Sequence, residues 1–170
     1  MTDVLHSGSG EVPPAGTRVP MEPEIHHLAM RETAVVTVDV AQDALPDAIG
    51  GAIGEVEAAM REAGVGLAGP PFARYLAFGP TIRAEIGFPV QRPAPQVGRV
   101  GPGRLPGGRI ASIVHLGSYD GLHETYAHLT RWLGELGLRP TGPLWEVYWS
   151  DPEEQPDPTS WRTEIFAPVE

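Results

Sequence analysis

This 170-residue sequence has no cysteine, no long apolar run and few basic residues. Without cysteine there is no disulfide framework, no thiol nucleophile and no cysteine zinc site, so nothing favours an oxidising compartment. No apolar run approaches the length of a membrane-spanning helix, and the N-terminal segment lacks the basic start and apolar stretch of a signal peptide. These absences predict a cytoplasmic protein with no membrane partner.

The shortage of basic residues also excludes a class of partner. Twelve Lys and Arg stand against 22 Asp and Glu, which gives a formal net charge of -10. Such a charge repels phosphate backbones and attracts cations. We therefore expect no nucleic-acid partner.

The length and composition predict one domain preceded by a tail. A chain of 170 residues that is 41% hydrophobic can bury one sizeable core. Residues 1–22 are rich in Ser, Gly and Pro and have no periodic apolar positions, which predicts a flexible tail. Residues 23–170 are expected to form the domain.

Within this domain the sequence repeats itself. Residues 137–148 echo residues 64–75, with glycines, a Gly-Pro pair, an aromatic residue and a tyrosine in register. Residues 163–169 echo residues 84–90. A duplicated unit packed against its own copy forms a pseudo-two-fold seam, and a cleft on that seam is a natural place for a small ligand.

The first repeat, about residues 23–90, predicts a β-α-β-β order. A nearly continuous β-branched run at residues 34–40 is typical of a buried strand. Two more strands are expected near residues 72–78 and 81–90, joined by a Gly-Pro turn.

A helix is expected between the first two of these strands. Pro46 suits its first turn, apolar residues then recur at helical spacing, and Gly64 ends it. Gly50, Gly51 and Gly54 weaken the helix unless a neighbouring element packs closely against them.

The second repeat, about residues 109–170, predicts the same order. A strand at residues 109–115 precedes a helix at residues 121–136, for which Asp120 is the expected N-cap. The buried stripe of this helix is expected to hold Leu122, Tyr126, Leu129, Leu133 and Leu136.

Two more strands and a connector complete the predicted fold. The strands are expected at residues 144–149 and 161–169, with an acidic, proline-rich loop between them. The connector, residues 91–108, is expected to hold a short strand near residues 97–100. The predicted fold class is α+β, with two β-α-β-β repeats related by a pseudo-two-fold axis and a ligand cleft at the seam.

Six segments, taken in order, carry a resemblance to a known family. They are Gly-Pro-Pro-Phe-Ala-Arg-Tyr at 69–75, Ala-Glu-Ile-Gly-Phe-Pro-Val at 84–90, Leu-Pro-Gly-Gly-Arg at 105–109, His-Leu-Gly-Ser-Tyr at 115–119, Trp-Glu-Val-Tyr at 145–148 and Thr-Glu-Ile-Phe-Ala-Pro-Val at 163–169. Over roughly residues 23–170 the chain resembles the GyrI-like small-molecule-binding domain. The resemblance implies two β-α-β-β units with a ligand cleft between them.

The resemblance also implies a function. The family includes the effector-binding halves of AraC-type and MerR-type multidrug regulators, and stand-alone proteins. No helix-turn-helix segment precedes the domain here, which departs from the regulator form. We therefore expect a stand-alone protein that binds hydrophobic or cationic aromatic small molecules.

Glu146 is the first candidate for the binding site. Family members hold cationic aromatic drugs with a glutamate that matches Glu146 of Trp-Glu-Val-Tyr. On a strand, Leu144 and Tyr148 share its face, whereas Trp145 and Trp149 face the other way. We expect the tryptophans to meet the helices and Glu146 to line a mostly apolar cleft on the opposite face. An unpaired buried carboxylate would gain from an arriving cation.

The two repeats differ at the corresponding positions, which predicts an asymmetric site. The first repeat has Ala73 where the second has the acid, and Tyr75 where the second has its tyrosine. Glu85 is left open between a ligand contact and an exposed strand residue, a structural role is favoured for Glu164, and Trp161 is expected to close over the cleft. The predicted ligand-contacting residues are Glu146, Tyr148, Tyr75, Ala73, Leu144, Glu85 and Trp161.

Structural roles are the alternative for the glutamates and the two tyrosines. Glu146 could be a solvated strand residue paired with an arginine such as Arg74. Tyr75 and Tyr148 could be ordinary core aromatics. The family resemblance favours binding.

The same cleft could instead be catalytic. Glu146 would orient or deprotonate a water that attacks a strained electrophile, while Tyr75 or Tyr148 donates a hydrogen bond to the departing oxygen. The resemblance implies this alternative, because some stand-alone members hydrolyse cyclopropane-bearing alkylating agents. A gyrase-inhibitor-like interaction module is the third hypothesis.

No cofactor and no metal are expected. His123 and His128 lie near a glutamate, as in zinc proteases, but are one position too far apart on a helix to share a metal. The glycines of residues 105–108 precede a predicted strand rather than a helix, which argues against a phosphate-binding loop. His115 is more typical of a core or turn histidine than of a catalytic base.

Overall fold

The computed structural model describes residues 21–170. The predicted tail, residues 1–22, lies outside this range except for its last two residues. The described residues form an antiparallel sheet of eight strands and two α-helices. The predicted α+β class is confirmed.

The strands follow one another through both repeats. In chain order they are β1 (Glu24–Leu28), β2 (Arg31–Ala41), β3 (Phe72–Ala77), β4 (Thr81–Pro89), β5 (Gly101–Leu105), β6 (Gly108–Leu116), β7 (Trp145–Tyr148) and β8 (Arg162–Pro168). The helices are α1 (Leu45–Ala63) and α2 (Leu122–Glu135). The order across the sheet is β1-β6-β8-β7-β3-β4-β2-β5. The seam between the repeats is therefore the pairing of β7 with β3.

Each repeat gives its first strand to the other repeat. β1 precedes β2 in the chain but pairs with β6, and β5 precedes β6 but pairs with β2. Each repeat is therefore β-β-α-β-β rather than the predicted β-α-β-β. The short strand expected near residues 97–100 is instead a turn closed by Val97 and Val100, and β5 follows it.

Helix α1 has the boundaries that its sequence predicts. Pro46 lies in its first turn, and Gly64 ends it with a φ of 69°, a left-handed conformation that glycine adopts without strain. The glycines within it do not serve close packing. A Cβ added at Gly50, Gly51 or Gly54 would meet nothing within 4 Å.

Helix α2 differs from its prediction at both ends. The expected N-cap, Asp120, lies in a short 3-10 turn, and Gly121 takes the N-cap position without a side-chain hydrogen bond. The backbone N–H of Leu122 donates to the carbonyl of Tyr119, so the 3-10 turn runs directly into the helix. Leu136 follows the last helical residue and is 52% exposed, so it is not part of the buried stripe.

Both helices lie on one face of the sheet. Helix α1 packs on a cluster that contains Val36, Ala73 and Ile86, and α2 packs on one that contains Ile113 and Ile165. The strand residues between these positions point the other way. They form a third cluster on the opposite face of the sheet, which we call the helix-free face. Its buried members are Val35, Phe72, Leu105, Ile110 and Trp145. Neither helix is long and apolar enough to cross a membrane.

Candidate functional site

Glu146 lies at the seam between the repeats. It is on β7, in register with Ala73 of β3 on one side and Ile165 of β8 on the other. All three side chains are on the helix face. Glu146 is 5% exposed, so its carboxylate is removed from bulk water. A buried carboxylate is costly unless donors satisfy it.

Three phenols supply those donors. Tyr75 donates to Oε2 of Glu146 at 3.0 Å, and Tyr148 donates to the same oxygen at 2.7 Å. Tyr126 donates to Oε1 at 2.6 Å. The donors come from β3, β7 and α2, so both repeats and one helix converge on one acid. Hydrogen bonds to an ionised acceptor are roughly twice as strong as neutral ones.

More aromatic rings extend the cluster toward solvent. Tyr119 lies edge-on to Tyr148, with ring centroids 6.1 Å apart, and packs on Trp161 at 5.0 Å. Phe78 packs on Tyr75 at 5.3 Å and is 71% exposed. The chain has four tyrosines, and all four belong to this group. We call Glu146, the four tyrosines, Phe78 and Trp161 the aromatic cluster.

The tyrosines remain proton donors because their environment resists ionisation. Burial raises the pKa of Tyr75, Tyr126 and Tyr148 above the ordinary value, and the negative charge of Glu146 raises each pKa further. Burial also raises the pKa of Tyr119, with smaller effects from the charges of Glu146 and Asp151. A phenolate beside a buried carboxylate would place two negative charges together.

Within the part of the chain that the structure describes, no positive side chain neutralises the acid. Among residues 21–170, neither an arginine nor a histidine forms an ion pair with Glu146. The alternative in which it pairs with Arg74 does not hold, because Arg74 pairs with Glu85 at 3.3 Å on the helix-free face. The cluster is thus a buried carboxyl group with phenol donors and aromatic walls.

The structure brings most of the predicted site residues together. Tyr75 and Tyr148 bind the acid, and the buried Ala73 is its cross-strand neighbour. Leu144 packs under α2, and its carbonyl accepts the backbone N–H of Tyr75. Trp161 does not contact the acid directly but packs on Tyr119 within the aromatic cluster.

The structure does not bring Glu85 to the cluster. Its side chain is on the helix-free face, in the ion pair with Arg74. Its counterpart in the second repeat, Glu164, accepts the indole N–H of Trp149 at 3.1 Å. Both glutamates are therefore occupied with structural partners away from Glu146.

The predicted orientation of β7 is wrong. Trp145 stacks on Phe166 on the helix-free face, with an interplanar angle of 8°, and Trp149 is half exposed. Glu146 and Tyr148 face the helices instead. Alternation along a strand shows which residues share a face but not which face the helices cover. The polar face can be buried here because Tyr126 of α2 donates to the acid.

Three residues of the cluster were not predicted as site residues. Tyr126 was assigned to the buried stripe of α2, Tyr119 was assigned only to a motif of the family, and Phe78 was assigned only to a predicted strand. A buried phenol requires a partner for its hydroxyl, and this requirement is the signal that could have marked Tyr126.

His115 has a structural partner on each ring nitrogen. Nε2 donates to the carbonyl of Ser118 at 2.7 Å, and Nδ1 contacts the hydroxyl of Thr125 at 2.7 Å. These bonds hold the turn before α2, which carries Tyr119. In the described part of the chain, no group of three or more His, Asp or Glu side chains could hold a metal ion.

Comparisons with known proteins agree with this fold. The model of the family described as GyrI-like small molecule binding domain matches residues 21–170. No curated protein matches the sequence. The chain is similar in structure to the C-terminal domain of EcmrR, with a TM-score of 0.78, 20% identity, and coverage of 88% of this chain and 98% of that one.

Two other solved structures share the fold. A hydrolase from Listeria innocua matches with a TM-score of 0.63 and 17% identity, over 88% of this chain and 92% of that one. SAV2435 bound to tetraphenylphosphonium matches with a TM-score of 0.59 and 14% identity, over 88% and 94%. At these identities the likeness establishes the fold.

Proposed function

The chain belongs to the GyrI-like small-molecule-binding family, and from this premise we propose that it binds hydrophobic, cationic aromatic molecules at Glu146. The observation that supports the proposal is the environment of the Glu146 carboxyl group. This group is buried and hydrogen-bonded by three phenols, and it has no positive partner among the described residues. A cation is the group that such a site lacks.

Charge is the first contribution to binding. The attraction between unit charges at 4 Å rises from about 1 kcal/mol in water to about 4 kcal/mol at the effective dielectric near a protein surface. A ligand that reaches Glu146 must displace part of the phenol shell, since the carboxylate is 5% exposed. Binding therefore exchanges a phenol hydrogen bond for an ion pair. The affinity depends on how much more favourable the ion pair is than the hydrogen bond that is lost.

Aromatic surface is the second contribution. The rings of Tyr119, Trp161 and Phe78 lie on the solvent side of the acid and are at least partly exposed. Flat rings stack on such surfaces, and the faces of Tyr and Trp attract cations. These forces have little directionality, so we expect the protein to accept several cations that share a positive charge and aromatic rings. SAV2435, which shares the fold, binds tetraphenylphosphonium.

Calorimetry with tetraphenylphosphonium tests the proposal. We expect the unmodified protein to bind this ion and Glu146→Gln to bind it more than about tenfold more weakly, a loss of about 1.4 kcal/mol. Glu164→Gln is the matched control, because this glutamate is on the adjacent strand but faces away from the cluster. Equal affinity in all three proteins would remove Glu146 from the site.

Hydrolysis is a second candidate because the cluster combines a carboxylate with phenols at 2.6 to 3.0 Å. Such a pair could supply a base for water and a donor for a departing oxygen. A hydrolase from Listeria innocua shares the fold. Incubation with a cyclopropane-bearing alkylating agent should then yield a ring-opened, water-added product, and Glu146→Gln should slow this step far more than it weakens binding. Product formation equal to that in buffer alone would exclude the reaction.

A further inference from the structure

The helix-free face of the sheet carries a hollow that the aromatic cluster does not use. Its volume is about 80 Å³, and its walls are apolar side chains that include Phe72, Leu105, Trp145 and Val147. Among the described residues that line it, Arg31 is the charged one and none is an acid. We call this hollow the Arg31 groove. It lies on the opposite side of the strands that carry Glu146.

The Arg31 guanidinium is held at the groove. Its Nη2 donates to the carbonyl of Ala68 at 2.6 Å. The guanidinium also lies over Gly69, where an added Cβ would be 3.3 Å from Nη2 and 3.4 Å from Nη1. The absence of a side chain at Gly69 thus leaves the space that the guanidinium occupies.

The same guanidinium has unused donors. Within the described part of the chain, Arg31 makes one side-chain hydrogen bond and no ion pair. Two acids of the helix-free face lie outside the lining and have partners of their own. Glu85 pairs with Arg74, and Glu164 accepts the indole N–H of Trp149. A second cation, Arg162, stacks on the same indole at 5.4 Å. In a protein with a formal net charge of -10, this is a locally positive apolar hollow.

We infer that the Arg31 groove is a second binding site, for small organic monocarboxylates with a short apolar body. A guanidinium matches a carboxylate in a planar, bidentate geometry. The apolar body would lie among Phe72, Trp145 and Val147. A volume of about 80 Å³ is far below the roughly 300–1,000 Å³ of sites for drug-sized molecules. The groove therefore suits a short alkyl or single-ring acid, which is opposite in charge to the ligand proposed for Glu146.

Indole N–H signals in a proton-nitrogen NMR spectrum can locate the ligand. Trp145 and Trp149 line the Arg31 groove, whereas Trp161 belongs to the aromatic cluster. With phenylacetate as the probe, we expect saturable shifts of the Trp145 and Trp149 signals and none of Trp161. Phenylacetamide has the same shape without the charge, and we expect it to bind at least about tenfold more weakly, the loss of one charge-assisted contact.

Variants test the role of the guanidinium. Arg31→Gln should weaken phenylacetate binding by about tenfold or more, since the charged donor is lost. Gly69→Ala should weaken it less, because the methyl group displaces the guanidinium by only a few tenths of an ångström. Arg104→Gln is the matched control, since Arg104 lies on β5 outside the groove and pairs with Glu32. Glu146→Gln should leave phenylacetate binding unchanged, so this test is independent of the function proposed above.

Three results would overturn the inference. Shifts of Trp161 instead of Trp145 and Trp149 would place the acid elsewhere. Equal binding of phenylacetate and phenylacetamide would remove Arg31 from recognition. Shifts of the two groove indoles that grow with protein concentration alone would show that a second copy of the chain covers the groove.

Discussion

The two repeats share one fold, but only the second carries an acid at the seam. Ala73 of β3 stands in register with Glu146 of β7, while the matching Tyr75 and Tyr148 both donate to the same carboxylate oxygen. The two matching strands, β3 and β7, thus contribute one phenol each, but only β7 contributes the acid. This difference indicates that the seam accommodates one buried carboxylate because donors from both repeats converge on it.

The two helices also differ in what they contribute to the site at Glu146. Helix α2 supplies Tyr126 to the acid, whereas α1 carries Gly50, Gly51 and Gly54 on open surface. In the second repeat, strand and helix together build the polar half of the site. In the first repeat, apart from Tyr75, the corresponding surfaces are apolar core.

The largest expected effect comes from making the repeats equal in charge. Ala73→Glu would place a second buried carboxylate across the ladder from Glu146, with no positive partner. We expect it to lower the free energy of unfolding by about 3 kcal/mol or more, the scale of an unpaired buried charge. Urea unfolding measures this change. Ala73→Gln, of similar volume without the charge, should cost less, and equal losses in the two variants would contradict the electrostatic reason.

The next effect concerns the tyrosines, whose pKa values are raised in both repeats. An unfolded tyrosine ionises near pH 10, so the stability from the neutral phenols is complete below that pH and is lost above it. We expect a loss of about 1.4 kcal/mol per pH unit for each phenol that stays protonated in the folded state.

Two measurements check this prediction. Tyrosinate absorbance should appear only above pH 10 and together with unfolding. Tyr126→Phe should make the free energy of unfolding fall less steeply above pH 10, by the contribution of one phenol, about 1.4 kcal/mol per pH unit. Normal ionisation of the tyrosines in the folded protein would contradict it.

The smallest effect concerns the glycines that distinguish α1. Gly54→Ala should raise the free energy of unfolding by up to about 1 kcal/mol, because alanine is the better helix former and its Cβ meets nothing within 4 Å. Gly134→Ala is the counterpart in α2, where the added Cβ also meets nothing within 4 Å, and its gain should be smaller in the last helical turn. Thermal unfolding measures both. A loss of stability in Gly54→Ala would reveal a packing role for the glycine.

Local signals in the sequence were sufficient to predict much of the fold. The β-branched run of β2 and the Pro46 and Gly64 boundaries of α1 depend on nearest neighbours in the chain, and the structure has them. The family resemblance drew attention to Glu146, and the repeat showed that Ala73 occupies the corresponding place. These features required no knowledge of distant contacts.

Features that depend on distant contacts were not predicted. β1 contains two histidines and β5 contains two glycines and a proline, so neither has a strong strand pattern, and each is stabilised by pairing with the other repeat. The face that the helices cover is also set by tertiary packing. For this reason Glu146 was predicted on the wrong side of the sheet, and Tyr126 was not recognised as its partner.

The most direct test of the central claim compares two ions of the same shape and opposite charge. Tetraphenylphosphonium and tetraphenylborate present the same four rings, so a difference in their affinities reports the charge of the site. The claim that Glu146 binds a cation predicts at least about tenfold tighter binding of the phosphonium. It also predicts that Glu146→Gln loses this preference. Equal binding of the two ions by the unmodified protein would contradict it.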